Sequence, residues 1–446
     1  MATTPHVPAR GARRRTVLAL ILVALAAGVV TPLRSTGARE LLDGRAPRTK
    51  ASTRPSVTAA FPLESYAPDT TARLVISSPA RSVTLQVFRA GAEYEKIAAH
   101  DEMRGIPVTR RSRLQDVTDR RVVPVRIGAW RSGLYFARLT AAGGRVGYAP
   151  FVLRPRRLGT YRVAVVLPTF TWQAYNHRDD DGDGDEDTWY ASQDEQRVQL
   201  GRPYLNRGVP PYYRVYDQPF LRWLFHTARG ADYFADSDLD AVASGRRLAE
   251  AYDLIIFPGH HEYVTEREYD AVTEFRNLGG NLMFLSANNF FWRVDKRGNG
   301  IFRIRQWRDL GRPEAGLIGV QYAGNDGGGA RGPWIVRAAE SAPWLFSGTG
   351  LENGDELSSG GIEIDAVASS SPPGVKVLAE IPNLLGPGKT AQMTYYETRG
   401  GASVFASGAF TLAGSVWQRP VARLLENLWA RLSADGNRER VQRGAP

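Results

Sequence analysis

Two histidines and a glutamate stand side by side in "GHHEY" (residues 259–263), directly after the apolar run "DLIIFP". Imidazole and carboxylate groups at that spacing suit either acid–base chemistry or a transition metal. The structural alternative is a turn in which His260 or His261 caps the following helix or bonds to backbone. Two further polar-aromatic clusters also follow apolar runs immediately. "TFTWQAYNH" comes after a run ending near Leu167, and "NNFFWR" after one ending near Ser286. Ligands of open α/β sheets bind outside the carboxyl ends of the strands, so parallel strands would carry all three clusters to one rim. Other chemistries are excluded at the outset. The chain has no cysteine, which removes thiolate nucleophiles, thiolate metal sites and disulfides. The HExxH zinc pattern and the G-x-S-x-G nucleophile elbow are absent as well.

A second pattern lies between Tyr175 and Tyr190, in "YNHRDDDGDGDEDTWY". Asp179, Asp181, Asp183, Asp185 and Asp187 fall on alternate positions, as do the first five ligand positions of an EF-hand loop, and Gly184 stands where that loop turns sharply. Tyr190 occupies the place of the bidentate glutamate, so the loop is an incomplete EF-hand, nearer to short DxDxDG loops. The expected ligand is Ca(2+). The alternative is a solvated acidic loop that bears the mutual repulsion of its carboxylates.

The elements that must position these groups are legible from periodicity. Residues 56–157 hold short alternating runs such as "ARLVISS", "SVTLQVFRA" and "GLYFARLTA" between turn signals. They predict an all-β, immunoglobulin-like sandwich. From residue 158 the pattern changes. "TYRVAVVLPTF" reads as a strand buried on both faces, and "QPFLRWLFHTA" as an amphipathic helix. Thr265 and Glu268 form a capping box ahead of a stripe of Tyr269, Val272, Phe275 and Leu278, and Gly279-Gly280 end that helix. Strands alternating with helices predict an α/β fold with a largely parallel, doubly wound sheet over residues 158–435. A disordered tail is expected at 436–446.

Charge is unevenly spread. The net is +11, yet residues 1–50 carry nine Lys/Arg against two Asp/Glu, and residues 161–446 carry thirty against thirty-six. The large C-terminal part is therefore mildly acidic, which argues against nucleic acid as a partner. Attraction of the basic N-terminal third to a membrane or cell-wall polymer is expected instead. The apolar run at 17–30 follows a basic start and falls short of the roughly 20 residues a spanning helix needs. Residues 1–33 read as a signal peptide or membrane anchor, "RRTVL" within them resembles a twin-arginine signal, and 34–55 read as a flexible linker. An exported protein is expected, secreted or anchored on the extracytoplasmic side.

"TWQAYN", "TWY", "RPY", "YDQPFLRWL", "GHHEY", "NLMFLSANNFFWR" and "LIGVQY" occur in that order. The ordered set resembles the C-terminal domain of the N,N-dimethylformamidase large (beta) subunit family. The resemblance implies a class I glutamine amidotransferase-like or flavodoxin-like α/β fold. It also implies an amidohydrolase acting on a small amide or formamide, with a mononuclear Fe(3+) held by two tyrosinates and a glutamate. Carried over by residue, it places Glu262 and Tyr175 on iron. Tyr190 is the second tyrosinate, with Tyr204 and Tyr216 as rivals. His260 and Asn288 become catalytic, with Asn289 as the neighbouring alternative. Ferric iron favours hard oxygen donors and would draw the phenol pKa down. His261 stands where many relatives have Asp, and the acidic insert is unusual. "FASGAFTLAGSVW" follows the family's closing motif only loosely, so no catalytic glutamate is assigned there. The competing expectation is a non-catalytic exported surface or glycan-binding protein. Trp172, Trp189, Trp223 and Trp292 would then form a carbohydrate platform rather than ordinary core.

Overall fold

Alternating burial builds the first sheets. The computed structural model describes residues 57–434 apart from 96, 116, 118 and 192–194. The expected signal or anchor, linker and C-terminal tail lie outside those residues. Strand Thr71–Ser78 (β1) buries every second residue, as the two-residue side-chain period requires. It pairs antiparallel with Asp119–Arg126 (β3). Ser82–Ala90 (β2), Gly133–Ala141 (β4) and Val146–Leu153 (β5) form a second antiparallel sheet. Ala72, Leu74 and Ile76 of β1 share one core with Val83, Leu85 and Val87 of β2 and with Leu139 of β4. The opposite face of β4 is not left to solvent. Leu134 and Phe136 join the apolar cluster of the C-terminal sheet, and Ser132 Oγ accepts a hydrogen bond from Tyr233 N at 2.7 Å.

That larger sheet has eleven strands. Val163–Leu167 (β6) lies between Asp232–Ala235 (β7) and Leu254–Phe257 (β8), followed by Asn281–Phe284 (β9) and Ser403–Ala406 (β14). These five pair in parallel. Val163, Val165 and Leu167 point one way, into a core with Phe220 and Leu224 of helix α2 (Gln218–His226) and Leu424 and Leu428 of helix α5 (Arg419–Leu432). Ala164 and Val166 point the other way, onto Leu248 of α3 (Gly245–Ala251) and Val272 and Phe275 of α4 (Glu266–Asn277). The continuous apolar run of β6 thus serves two cores.

The sheet differs from the largely parallel one expected. Beyond β14 it continues through Ala391–Glu397 (β13), Lys376–Ile381 (β12), Arg331–Val336 (β10) and Glu356–Ala366 (β11), all antiparallel. The connections explain this. Parallel neighbours need crossovers of about a dozen residues or more, usually helical. Residues 382–390 and 398–402 are loops without a helix, so they return the chain antiparallel.

The N-terminus of α4 has the reciprocal cap that its sequence predicts. Thr265 Oγ1 accepts from Glu268 N at 3.2 Å, and Thr265 N donates to Glu268 Oε2 at 2.7 Å. Thr265→Ala should lower stability by about 1 kcal/mol in denaturant titration. No helix of the described residues is long and apolar enough to cross a membrane.

Candidate functional site

Three chain reversals at the carboxyl ends of β6, β8 and β9 build the site. After β6, Pro168 leads into helix α1 (Thr169–Ala174), which Asp236 anchors by accepting from Phe170 N at 2.7 Å. Tyr175 ends that helix. The acidic stretch then leaves and returns: Asp187 N donates to Arg178 O at 3.0 Å, and buried Thr188 donates its hydroxyl to Ala174 O. The return lays Tyr190 on Tyr175, with ring centroids 4.5 Å apart. After β8, Gly259 is required by close approach, because a Cβ there would meet Asp217 Oδ1 at 2.4 Å. Glu262 N then donates to Thr171 Oγ1 at 3.1 Å, which ties the "GHHEY" turn to α1. After β9, Asn288 adopts φ 52° and its N–H donates to Asp365 Oδ1 at 2.9 Å, reaching β11.

These reversals, together with β11, bring seven side chains together. Glu262 Oε2 accepts from the Tyr175 hydroxyl at 2.7 Å and from the Tyr190 hydroxyl at 2.9 Å. The Tyr190 and Tyr263 hydroxyls are 2.6 Å apart. His260 Nε2 stands 3.6 Å from Glu262 Oε2 and 3.9 Å from Glu363 Oε2. The backbone of Asn288 favours the charged form of His260, and its side chain favours that of Glu363. Tyr212, Asn288, Phe290 and Ile362, around this cluster, all have φ between 52° and 70°. Left-handed backbone at such residues costs about 1–3 kcal/mol each and gathers where a site demands it.

Without an ion, burial dominates the electrostatics. It pushes the Glu262 carboxyl up to about 7, against the phenol hydrogen bonds that favour its charged form. It holds Glu363 well above the usual carboxylate range, with the Glu262 charge adding to the effect. Burial, then the charge of Glu262, raises Tyr175 and Tyr190 far above an ordinary phenol. Tyr190 is 40% exposed, but its hydroxyl end is enclosed by Tyr263 and Glu262. Burial lowers the imidazole of His260 to about 3, so it is a neutral acceptor at pH 7. The donor set fits a hard trivalent cation. Two phenols and a carboxylate converge on one point. Buried His260 Nε2, Glu363 Oε2 and Asn288 Oδ1 lack hydrogen-bond partners, which is costly unless something else binds there.

The structure therefore brings together Tyr175, Tyr190, Glu262, His260 and Asn288. Of the rivals, Tyr204 lies in the apolar core and Tyr216 packs on Phe410. Asn289 is structural, accepting from His261 N at 3.1 Å and donating to Ser286 O. His261 turns away, 3.8 Å from Asp236. Two site residues escape sequence reasoning. Tyr263 directly follows Glu262 and lies within the "GHHEY" motif itself. Glu363 sits in an ordinary alternating strand, "GGIEIDA", and nothing local marks it.

In the acidic loop, carboxylate oxygens of Asp179, Asp181 and Asp183 lie within 4.8 Å of one another. Asp185 and Asp187 stand outside that group. Asp187 Oδ2 accepts from Asp180 N at 2.7 Å and lies 3.5 Å from Arg202. The tryptophan platform is corrected: Trp172, Trp189 and Trp223 are at most 5% exposed, so they are core.

A family model described as "N,N-dimethylformamidase beta subunit-like, C-terminal" matches residues 117–420. The N,N-dimethylformamidase beta subunit of Paracoccus aminophilus is 23% identical over 406 residues, covering 68% of this chain and 52% of that one. The protein of the same name from an Alcaligenes species is 23% identical over 290 residues, covering 50% and 37% respectively. The chain thus spans about half, or less, of these relatives' length. Among solved structures, a superoxide reductase (neelaredoxin) from Ignicoccus hospitalis covers 24% of this chain at 11% identity. Its TM-score of 0.16 is too low to bear on fold or function.

Proposed function

The chain belongs to the N,N-dimethylformamidase beta subunit-like family, and on that premise we propose that it hydrolyses an amide C–N bond at a mononuclear Fe(3+) site. The observation that carries this reading is the convergence of the Tyr175 and Tyr190 hydroxyls on one oxygen of buried Glu262, opposite an unpartnered imidazole nitrogen. Tyr175, Tyr190 and Glu262 would hold the ion as oxygen donors. Bound there, ferric iron supplies Lewis acidity that polarises an amide carbonyl and acidifies water.

The chain's own residues do the rest. His260 packs between Tyr175 and Phe410, with Nε2 3.6 Å from Glu262 Oε2 and turned into the site. Nε2 takes a proton from the attacking water and passes it to the leaving nitrogen, so that water and amide become carboxylic acid and amine. Glu363, 3.9 Å from Nε2, orients that water. Asn288 Oδ1 is free to accept from the amide or from water. Amine release from short amides and formamides by iron-loaded protein tests the reading. His260→Ala should lower that rate by about 10²–10⁴-fold. No turnover by iron-loaded protein would sink the hydrolase assignment.

The acidic loop is proposed to hold Ca(2+) through Asp179, Asp181 and Asp183, fixing the return that carries Tyr190 to Tyr175. The proximity of their carboxylates supports this. Calcium should then release heat in a titration calorimeter and raise the melting temperature, and Asp181→Asn should weaken both. A titration with neither response would leave a solvated loop.

A further inference from the structure

The iron-binding cluster lies beside a chamber of about 380 Å³ whose wall includes Tyr175. Tyr175 meets Tyr212 edge-on at 5.9 Å, and Tyr212 stacks on Tyr216 at 5.2 Å, so one side is aromatic. The lining also holds four basic side chains, His100, His177, Arg214 and Arg331, and no carboxylate. A second cavity of about 430 Å³ shares Arg214, Val215 and Arg331 with the first. It adds Arg222 stacked 4.9 Å above Trp417, and again no carboxylate. The two cavities together form a trough with three arginines, Arg214, Arg222 and Arg331, beside the cluster of phenols and carboxyls.

The three arginines are not equivalent. Arg214 donates to Ile97 O and bonds His100, both at 3.0 Å. Arg222 donates to the carbonyls of Glu93 and Tyr94. Arg331 sits at the junction of the cavities, exposed, without an ion pair or side-chain hydrogen bond among the described residues. A guanidinium left uncommitted in a concave wall presents a fork that matches a carboxylate. A simple formamide would leave most of the chamber empty.

We propose that the natural substrate is an amide bearing a carboxylate away from the scissile bond, with the carboxylate on Arg331 and a planar group against Tyr212 and Tyr216. The inference rests on the amide-hydrolase reading of the neighbouring cluster. The test compares 4-formamidobenzoate with its neutral counterpart formanilide, in kinetics and in equilibrium binding by calorimetry, using the full chain and its Arg331→Gln and Arg331→Lys variants. Wild type should favour the carboxylate by about 10–100-fold in kcat/KM, mainly through KM, as a charge-assisted contact provides. Arg331→Gln should bring the ratio close to one, and Arg331→Lys should restore part of it. Equal kcat/KM for the pair in wild type would overturn the inference while leaving amide hydrolysis standing. If neither compound turns over, binding decides. Arg331-dependent selectivity would uphold the carboxylate site and remove the hydrolase reading, whereas equal binding would overturn the site.

Discussion

Glu262→Gln is expected to abolish iron binding and to lower amide turnover by at least about 10³-fold, more than loss of a single oxyanion donor usually costs. Glu262 Oε2 is the one atom on which both phenols converge. Glutamine keeps its shape but not its charge, so the donor set loses an anion and much of its preference for a hard cation. The substitution also separates function from folding. Without iron, burial already holds the Glu262 carboxyl near neutrality, up to about 7. Glutamine mimics that protonated form. The metal-free variant should therefore be no less stable than metal-free wild type at pH 8. A variant that loses activity and also unfolds would point to a structural role for Glu262 instead.

The second large effect is on stability against pH. Burial raises Glu262, Glu64 and Asp365 to about 7 and Asp217 to about 8. In the unfolded chain these carboxyls release their protons near pH 4. Between those limits the folded metal-free protein binds more protons than the unfolded chain, so its stability falls as pH rises. Burial shifts His260 and His261 down to about 3. Below about pH 6.5 they act in the opposite sense, since the unfolded imidazoles take up protons first. From pH 6.5 to 8 the carboxyls dominate, and the unfolded imidazoles, half-protonated at the lower limit, oppose them only in the first part of that window. Across it the four carboxyls should remove on the order of 3 kcal/mol from the metal-free protein. Iron would bind Glu262 in its charged form and take its share out of that loss. Denaturant titrations at both pH values, with and without iron, read this directly. Equal stability of the metal-free protein at pH 6.5 and 8 would show that these carboxyls are not buried as the fold places them.

Much of the site is legible in the sequence because its parts sit directly after strands. β6, β8 and β9 are apolar runs ended by Pro168, by Pro258-Gly259 and by the Ser286–Asn289 turn. Three adjacent parallel strands must deliver their succeeding loops to one rim. Tyr175, His260, Glu262 and Asn288 are reachable on that basis, with the family resemblance assigning their roles. Glu363 is not, because it belongs to an antiparallel strand whose pairing partners are set by non-local contacts. Its own neighbourhood shows only a period of two. The antiparallel half of the sheet is hidden for the same reason: loop length, not strand composition, decides direction there. The spacing of the acidic stretch suggests a metal loop over five aspartates. The structure gathers only Asp179, Asp181 and Asp183 and turns Asp187 to Arg202. Alternate spacing shows which side chains share a turn, but not which of them a buried arginine will take. Arg331 gives no signal at all, since its lack of a partner is a property of the folded surroundings.

Tyr175, Tyr190 and Glu262 are proposed to form a ferric site. Metal analysis together with the visible spectrum of iron-loaded protein tests it most directly. Stoichiometric iron is predicted, with a tyrosinate-to-iron absorption band that weakens in Tyr175→Phe and Tyr190→Phe and vanishes in Glu262→Gln. A colourless protein that takes up no iron under the same loading would contradict it.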